Sequence, residues 1–125
     1  MTKKLTLSPL GHTWILDLDG TIVKHNGYLT DGFDTMLKGA TAFLQGISDN
    51  DMIVFITSRP VELKEPTESF LREQGIYYDH IIYDAPYGER VLINDSKPSG
   101  LKTAVAVNAI RDVFGEIYIE VDNNL

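Results

Sequence analysis

The feature that most constrains the fold is a series of short apolar runs, rich in β-branched residues and bounded by turn residues. The six runs cover residues 13–18, 52–57, 80–83, 90–94, 103–108 and 116–121. Residues 53–56 are apolar at consecutive positions, which is typical of a strand buried on both faces of a parallel sheet. We therefore predict an α/β fold with a mostly parallel sheet whose faces are covered by helices.

Two helical patterns lie between these runs. Apolar residues recur at spacings of three and four from Phe33 to Ile47 and again over residues 62–74, where Gly75 is the predicted C-terminal stop. Because Pro66 lies inside the second pattern, we predict that its first turn is a separate short helix or loop. Strands that alternate with helices predict one three-layer Rossmann-like domain over residues 1–125. The last two apolar runs fit either an edge hairpin or two strands side by side.

The composition of the chain limits the partners, the metal ligands and the location that we expect for it. The net charge of −7 argues against a nucleic-acid partner, since binding to a phosphate backbone needs clustered Lys and Arg. Without cysteine the chain has neither disulfides nor thiolate ligands, so any metal must be held by oxygen or imidazole. No apolar run approaches the roughly 20 residues of a spanning helix, and the N-terminus lacks the pattern of a signal peptide. We expect a cytoplasmic protein without membrane contact.

Paired aspartates end the first apolar run of the predicted sheet. Asp17 and Asp19 are two residues apart and are followed by Gly20 and Thr21. Two carboxylates on one face of a strand repel unless they share a cation or a proton. Ligands of open α/β sheets bind beyond the carboxyl ends of the strands. Other polar residues predicted to lie at that edge are Thr57, Ser58, Asn94 and Asp95.

These motifs resemble those of the haloacid dehalogenase superfamily, in the same order and over about residues 13–98. The first motif is Asp-Leu-Asp-Gly-Thr at 17–21, the second is Thr-Ser-Arg at 57–59, and the fourth is Asn-Asp at 94–95. The resemblance implies that Asp17 is a nucleophile that forms an aspartyl-phosphate. It implies that Asp19 is the general acid and then the base, as in the phosphatases of the superfamily. We therefore predict a magnesium-dependent phosphohydrolase.

The resemblance also implies a role for the remaining motif residues. Gly20 would allow the tight turn after the strand. The Thr57 hydroxyl would bind a phosphoryl oxygen, assisted by the amides of Ser58 and Arg59. An all-oxygen Mg²⁺ site is implied, in which the ligands are the Asp17 carboxylate, the Asp19 carbonyl and Asp95.

Two departures from the family pattern are visible. The third motif is normally a lysine, yet no lysine occurs between Lys64 and Lys97. Lys97 is our first candidate for that cation and Arg90 is the second. The intervals between the motifs leave no room for the inserted cap that usually closes these sites. Capless members often use a neighbouring subunit as a lid, so the sequence is compatible with a homo-oligomer.

The expected substrate is a small phosphate ester. The stretch Asn-Asp-Ser-Lys-Pro-Ser-Gly at 94–100 resembles proteins of bacterial surface-sugar and sugar-nucleotide pathways, which favours a sugar phosphate. Nucleotides and phosphoproteins remain alternatives.

Other functions and other roles stay open at this point. A receiver-like signalling domain has a phosphorylated aspartate and a similar size, but the run 53–56 is followed by Thr57 and Ser58 without an acid. A non-catalytic or regulatory module that binds phosphate and Mg²⁺, and a phosphomutase, are further alternatives. Arg59 could meet a carboxylate instead of substrate, Asp95 could cap a helix, and Lys97 could be a solvated surface lysine.

Overall fold

A computed structural model describes residues 2–125, and its strands form two parallel sheets. The elements in chain order are β1 (Thr2–Leu7), β2 (Thr13–Asp17), α1 (Gly27–Thr30), α2 (Ala40–Gln45), β3 (Met52–Ile56), a 3-10 helix (Val61–Leu63), α3 (Lys64–Glu73), β4 (His80–Ile82) and β5 (Glu116–Val121). The central sheet has the order β2-β3-β4, and β1 pairs with β5 in a second sheet. The predicted Rossmann-like α/β fold is confirmed. No helix within residues 2–125 is long and apolar enough to cross a membrane.

The two faces of the central sheet differ in burial. Phe55 in the middle strand pairs in register with Leu16 of β2 and Ile81 of β4, so the three side chains share one face. That face packs into the core with Leu44 of α2 and Leu71 of α3. On the opposite face, in contrast, Ile15 and Ile82 are each 50% exposed. The prediction that both faces are covered is therefore wrong for this part of the chain.

Helix α3 follows the sequence prediction closely. The 3-10 turn over Val61–Leu63 precedes it, and Pro66 lies in its first turn, where a missing N–H costs no helical hydrogen bond. Gly75 ends the helix with φ of +70°. Its N–H donates to the Arg72 carbonyl and the Ile76 N–H to the Leu71 carbonyl, which is the Schellman arrangement.

The predicted helix over residues 33–47 forms only as α2. The backbone before it bonds to residues 22–24 instead, with the Lys24 N–H donating to Thr35 and the Leu37 N–H donating to Ile22. An isolated bridge also joins Val23 to Met36. These hydrogen bonds replace the helical ones that the apolar spacing predicts.

The predicted strands over residues 90–94 and 103–108 are absent from the structure, so the prediction for those runs is wrong. The two segments contact each other through side chains, with the Asn94 amide donating to the Thr103 hydroxyl oxygen over 3.0 Å. The last run forms β5, but its partner is β1 and not residues 103–108. Lys4 and Glu120 form an ion pair across this pairing.

Candidate functional site

A tight loop follows β2 and places both aspartates of the first motif. The Leu18 carbonyl accepts hydrogen bonds from the N–H groups of Thr21, Ile22 and Val23, and the Leu18 side chain is buried. Gly20 has φ of +83°, a conformation that side chains disfavour. The chain therefore turns back at once, and Asp17 and Asp19 stay at the carboxyl end of the strand, as predicted.

Asp19 forms an ion pair with the buried Arg59. The Arg59 Nε donates to Asp19 Oδ2 over 2.9 Å, and Nη2 donates to Asp19 Oδ1 over 2.9 Å. The same guanidinium binds Asp34, with Nη1 donating to Oδ2 over 3.0 Å and Nη2 donating to Oδ1 over 2.7 Å. Arg59 thus joins two carboxylates from separate segments of the chain, and its alternative role of meeting a carboxylate is the one that the structure has.

Two further side chains complete the surroundings of Arg59. Nη1 also donates to Thr67 Oγ1 on α3 over 3.0 Å, and the guanidinium carbon lies 4.2 Å from the centre of the Tyr28 ring. Burial disfavours the charged form, but the hydrogen bonds to Asp19 and Asp34 outweigh it and raise the pKa of Arg59. The pKa of Tyr28 is raised, first by burial and then by the charge of Asp19.

Asp17 is more accessible than Asp19, and it faces the second arginine of the site. The Arg90 Nη1 donates to Asp17 Oδ1 over 2.9 Å, and the two side chains are 36% and 37% exposed, respectively. The Arg90 Nη2 reaches the Ser58 hydroxyl oxygen at 3.5 Å, and the Thr21 hydroxyl donates to Asp17 Oδ2 over 3.3 Å. Of the two predicted cations, Arg90 is the one that contacts the predicted nucleophile.

The second motif lies at the end of β3, as predicted, but its two hydroxyls differ in access. Thr57 is fully buried, and its hydroxyl oxygen accepts a hydrogen bond from the Arg59 N–H over 3.1 Å. Ser58 is half-buried and lies beside Arg90. A phosphate that approaches Asp17 would therefore meet Ser58 before Thr57.

The fourth motif is not brought into a metal site. Asp95 and Lys97 are exposed, and they lie in an irregular segment held by the contact of Asn94 with Thr103 and by a turn that returns from Leu101. The Thr103 hydroxyl donates to the Asp95 carbonyl. Within residues 2–125 no group of three or more His, Asp or Glu side chains is placed to hold a metal ion. The residues present therefore do not complete the Mg²⁺ site that the resemblance implies.

Sequence reasoning missed Asp34 and Tyr28 as members of the site. Both precede α2 in a segment where the apolar spacing indicated a helix or a short flap, and neither belongs to a motif. It also missed Asp112, whose carboxylate accepts a hydrogen bond from the His25 N–H over 2.7 Å while its own N–H donates to the Gly20 carbonyl. The sequence offers one sign of the role of Asp34: it is an acidic residue near the start of a segment in which apolar residues recur at helical spacing.

Comparisons with known proteins give a structural similarity. No family model matches the chain, and no curated protein matches it. A chain in the structure of a Pnkp1/Rnl/Hen1 complex is similar over 66% of this chain, with 26% identity and a TM-score of 0.52. The similar region spans 31% of that longer chain.

Proposed function

We propose that the protein is a magnesium-dependent phosphohydrolase that acts through an aspartyl-phosphate on a small phosphate ester. The observation that carries the proposal is that two neighbouring carboxylates differ in their exposure and in their contacts. Asp17 is accessible at the end of β2, whereas Asp19 is fixed on a buried guanidinium. A nucleophile must reach its substrate, and a general acid must keep one orientation, so the two environments suit the two roles.

The proposed chemistry divides between these two residues. An Asp17 oxygen bonds to phosphorus while the bond from phosphorus to the leaving oxygen breaks, and Asp19 gives its proton to that oxygen. Asp19 then takes a proton from the water that hydrolyses the aspartyl-phosphate, which releases inorganic phosphate and restores both carboxyl groups. Each Asp19 oxygen accepts one hydrogen bond from Arg59, and a carboxylate has about four lone-pair sites, so acceptor capacity remains.

Arg90 is the group that we expect to receive the phosphoryl charge. Its guanidinium donates to both Asp17 and the Ser58 hydroxyl, and its side chain is 36% exposed. A planar guanidinium matches two phosphoryl oxygens at once. This supports Arg90, rather than the solvent-exposed Lys97, in the role of the missing third-motif lysine.

The proposal includes magnesium because of the charges that the site and its substrate carry. With Asp19 holding the proton that it gives, Asp17 and Asp34 carry two negative charges and Arg59 and Arg90 carry two positive ones, so the negative charge of an arriving phosphate ester is in excess. A bound Mg²⁺ would offset that excess and polarise the phosphoryl group. Asp95 is exposed outside the assembled residues, so Asp17 and the Asp19 carbonyl are the implied ligands that could hold the ion in this arrangement.

The test is phosphate release from a panel of sugar phosphates and nucleotides, with and without Mg²⁺. We expect release that depends on Mg²⁺, is abolished by Asp17→Asn and is strongly lowered by Asp19→Asn. Asp49→Asn is the matched control, since Asp49 is an exposed acid outside the site. Absence of release from every ester would refute the proposal. The sugar-phosphate preference rests on the resemblance of residues 94–100, and a cytoplasmic location is part of the same proposal.

A non-catalytic phosphate-binding module is the alternative that a specific observation favours. Arg90 already donates to Asp17 Oδ1, and a nucleophile paired with a guanidinium is less reactive, whereas Arg90 and Ser58 together could still bind a phosphate. Binding of inorganic phosphate without turnover of any ester, measured by calorimetry, would support this alternative.

We also propose that the protein associates with a second copy of itself. A folded chain of 14.0 kDa exposes about 6700 Å² by the usual scaling, whereas this chain exposes 8416 Å². The excess of about 1700 Å² is larger than the roughly 800 Å² that each partner buries in an ordinary interface. Apolar side chains are exposed in several places, among them the open sheet face at Ile15 and Ile82 and the segment with Tyr87, Val91 and Ile93, which are 93%, 80% and 89% exposed.

Light scattering after gel filtration tests the self-association. We expect a mass of at least twice 14.0 kDa for the wild type and a monomer for Ile82→Glu. Leu29→Glu is the control, because Leu29 is 66% exposed on α1, outside the open sheet face. A monomeric wild type at micromolar concentration would overturn this proposal.

A further inference from the structure

We infer that Arg59 and Asp34 are positioning residues for Asp19, and that Arg59 does not bind the substrate phosphate. This inference rests on the proposed function and assigns Arg59 a different task from the one that its place in the Thr-Ser-Arg motif suggests. It also brings Asp34, which lies in no motif, into the catalytic arrangement.

The hydrogen bonds of Arg59 leave no donor for a phosphate. A guanidinium has five N–H donors in fixed directions. Two of them bind Asp19, two bind Asp34 and one binds Thr67. The Arg59 backbone N–H is also occupied, since it donates to the Thr57 hydroxyl oxygen. A phosphoryl oxygen could bind Arg59 only by displacing one of these partners.

The geometry fixes the orientation of Asp19 in particular. Nε and Nη2 each donate to a different Asp19 oxygen, and this parallel pair of bonds sets the plane of the carboxylate as well as its position. Rotation of the carboxylate about its terminal bond would break both hydrogen bonds. A side chain that must deliver a proton to one atom gains from such a restraint, because misplacement by about 1 Å can cost about 100-fold in rate.

Asp34 restrains the guanidinium in turn. It binds the far edge of Arg59 through Nη1 and Nη2, and its own side chain is only 6% exposed. Thr67 of α3 holds Nη1, and the Tyr28 ring covers the guanidinium face. Arg59 is therefore held from the loop before α2, from α3 and from the aromatic ring, independently of any substrate.

A lysine could not reproduce this arrangement. Its ammonium is a single point with three donors, so it cannot bind two carboxylates along two edges. Arg59→Lys retains the positive charge and much of the apolar stem, and it removes mainly the fixed geometry. Asp34→Asn keeps the shape of the side chain but turns an amide N–H toward the guanidinium, which removes the restraint from the other end.

The test compares two leaving groups. An alkyl phosphate needs a proton on its leaving oxygen, whereas p-nitrophenyl phosphate releases a stable phenolate that needs little help. We expect Arg59→Lys and Asp34→Asn to lower kcat/KM on an alkyl phosphate by at least about 30-fold and on p-nitrophenyl phosphate by less than about 5-fold, because kcat/KM reports the formation of the aspartyl-phosphate and not its hydrolysis, which the two esters share. Asp19→Asn should show the same selectivity, and adding Arg59→Lys to it should cause little further loss on the alkyl ester. Arg72→Lys is the control, since Arg72 is an exposed arginine of α3.

The outcomes of this experiment distinguish the positioning role of Arg59 and Asp34 from the proposed function. Equal losses of kcat/KM on the two esters in both variants would overturn the positioning role, because lost phosphate binding affects both esters alike. Thermal unfolding of each variant shows whether the protein measured is folded, and Asp34→Asn serves where Arg59→Lys fails to fold. A wild type that hydrolyses no ester would overturn the proposed function and the positioning role together. An active wild type with unselective variants would overturn the positioning role alone.

Discussion

Replacing Arg59 by alanine should lower the free energy of unfolding far more than replacing any exposed arginine. Arg59 is 4% exposed, and its two carboxylate partners, Asp19 and Asp34, are 17% and 6% exposed at the side chain. The substitution leaves both carboxylates without their cation, and it leaves the Thr67 hydroxyl without a donor. Removal of one partner of a buried ion pair costs about 3–5 kcal/mol, because the remaining charge is buried and unpaired.

That loss would be a large fraction of the total stability. A domain of this size unfolds with about 5–15 kcal/mol, so Arg59→Ala should shift the midpoint of urea unfolding strongly without changing the slope. Arg72→Ala should cost less than about 0.5 kcal/mol, because Arg72 and Glu65 are 60% and 88% exposed and 3.7 Å apart. Adding Asp34→Asn to Arg59→Ala should restore part of the loss, since it removes one unpaired charge.

The assay is urea unfolding followed by far-UV circular dichroism, at pH 7 and at two salt concentrations. A loss below about 1 kcal/mol for Arg59→Ala would refute the reasoning, since it would mean that water reaches the carboxylates freely. A double variant less stable than Arg59→Ala would also refute it, since the second substitution would then remove a favourable group instead of an unpaired charge.

Three further predictions concern other parts of the fold. Gly75→Ala should cost about 1–2 kcal/mol in urea unfolding, because Gly75 has φ of +70° at the end of α3. Phe55→Ala should cost about 3–5 kcal/mol by the same assay, because Phe55 is fully buried in the middle strand. Burial raises the pKa of Glu68, but hydrogen bonds from Tyr78 and Tyr83 outweigh it, so the pKa lies below the ordinary value of 4.5. The stability that wild type gains over Glu68→Gln should therefore be present above pH 4.5 and shrink as the pH falls through the lowered pKa, which unfolding series at several pH values will show.

The parts of the fold that the sequence predicted well are those that local chemistry determines. Strand β3 follows from an unbroken apolar run, and the end of α3 follows from Gly75 after an apolar helical face. The runs 90–94 and 103–108 were predicted wrongly, because their β-branched residues satisfy the strand pattern but have no neighbouring strand among the described residues. A strand needs a partner for its backbone groups, and no local pattern supplies that partner.

In the site, too, local sequence predicts some residues, and the contacts of others depend on tertiary packing. Asp17 and Asp19 could be placed from sequence, because they end a strand and the loop after them is short. The pairing of Arg59 with Asp34 could not, since it joins residues 25 positions apart through two loops whose path depends on tertiary packing. The choice between the two candidate cations, Lys97 and Arg90, could not be made from sequence for a similar reason. Lys97 is nearer to the motif in sequence, but Arg90 is the residue whose side chain reaches the carboxylate.

The two arginines of the site differ in a way that allows a decisive comparison. Arg59 is buried with every donor occupied, whereas Arg90 is partly exposed and keeps N–H groups free beside Asp17. An arginine that serves the reaction must have donors left for the phosphate, so Arg90 fits that role and Arg59 does not. Arg90→Ala should lower kcat/KM by about 100-fold or more on every ester, whatever its leaving group, and leave the urea midpoint nearly unchanged. Lys97→Ala, assayed beside it, should retain wild-type kinetics; a loss in Lys97→Ala with none in Arg90→Ala would return the third-motif role to the lysine and show that the segment 90–97 rearranges when substrate binds.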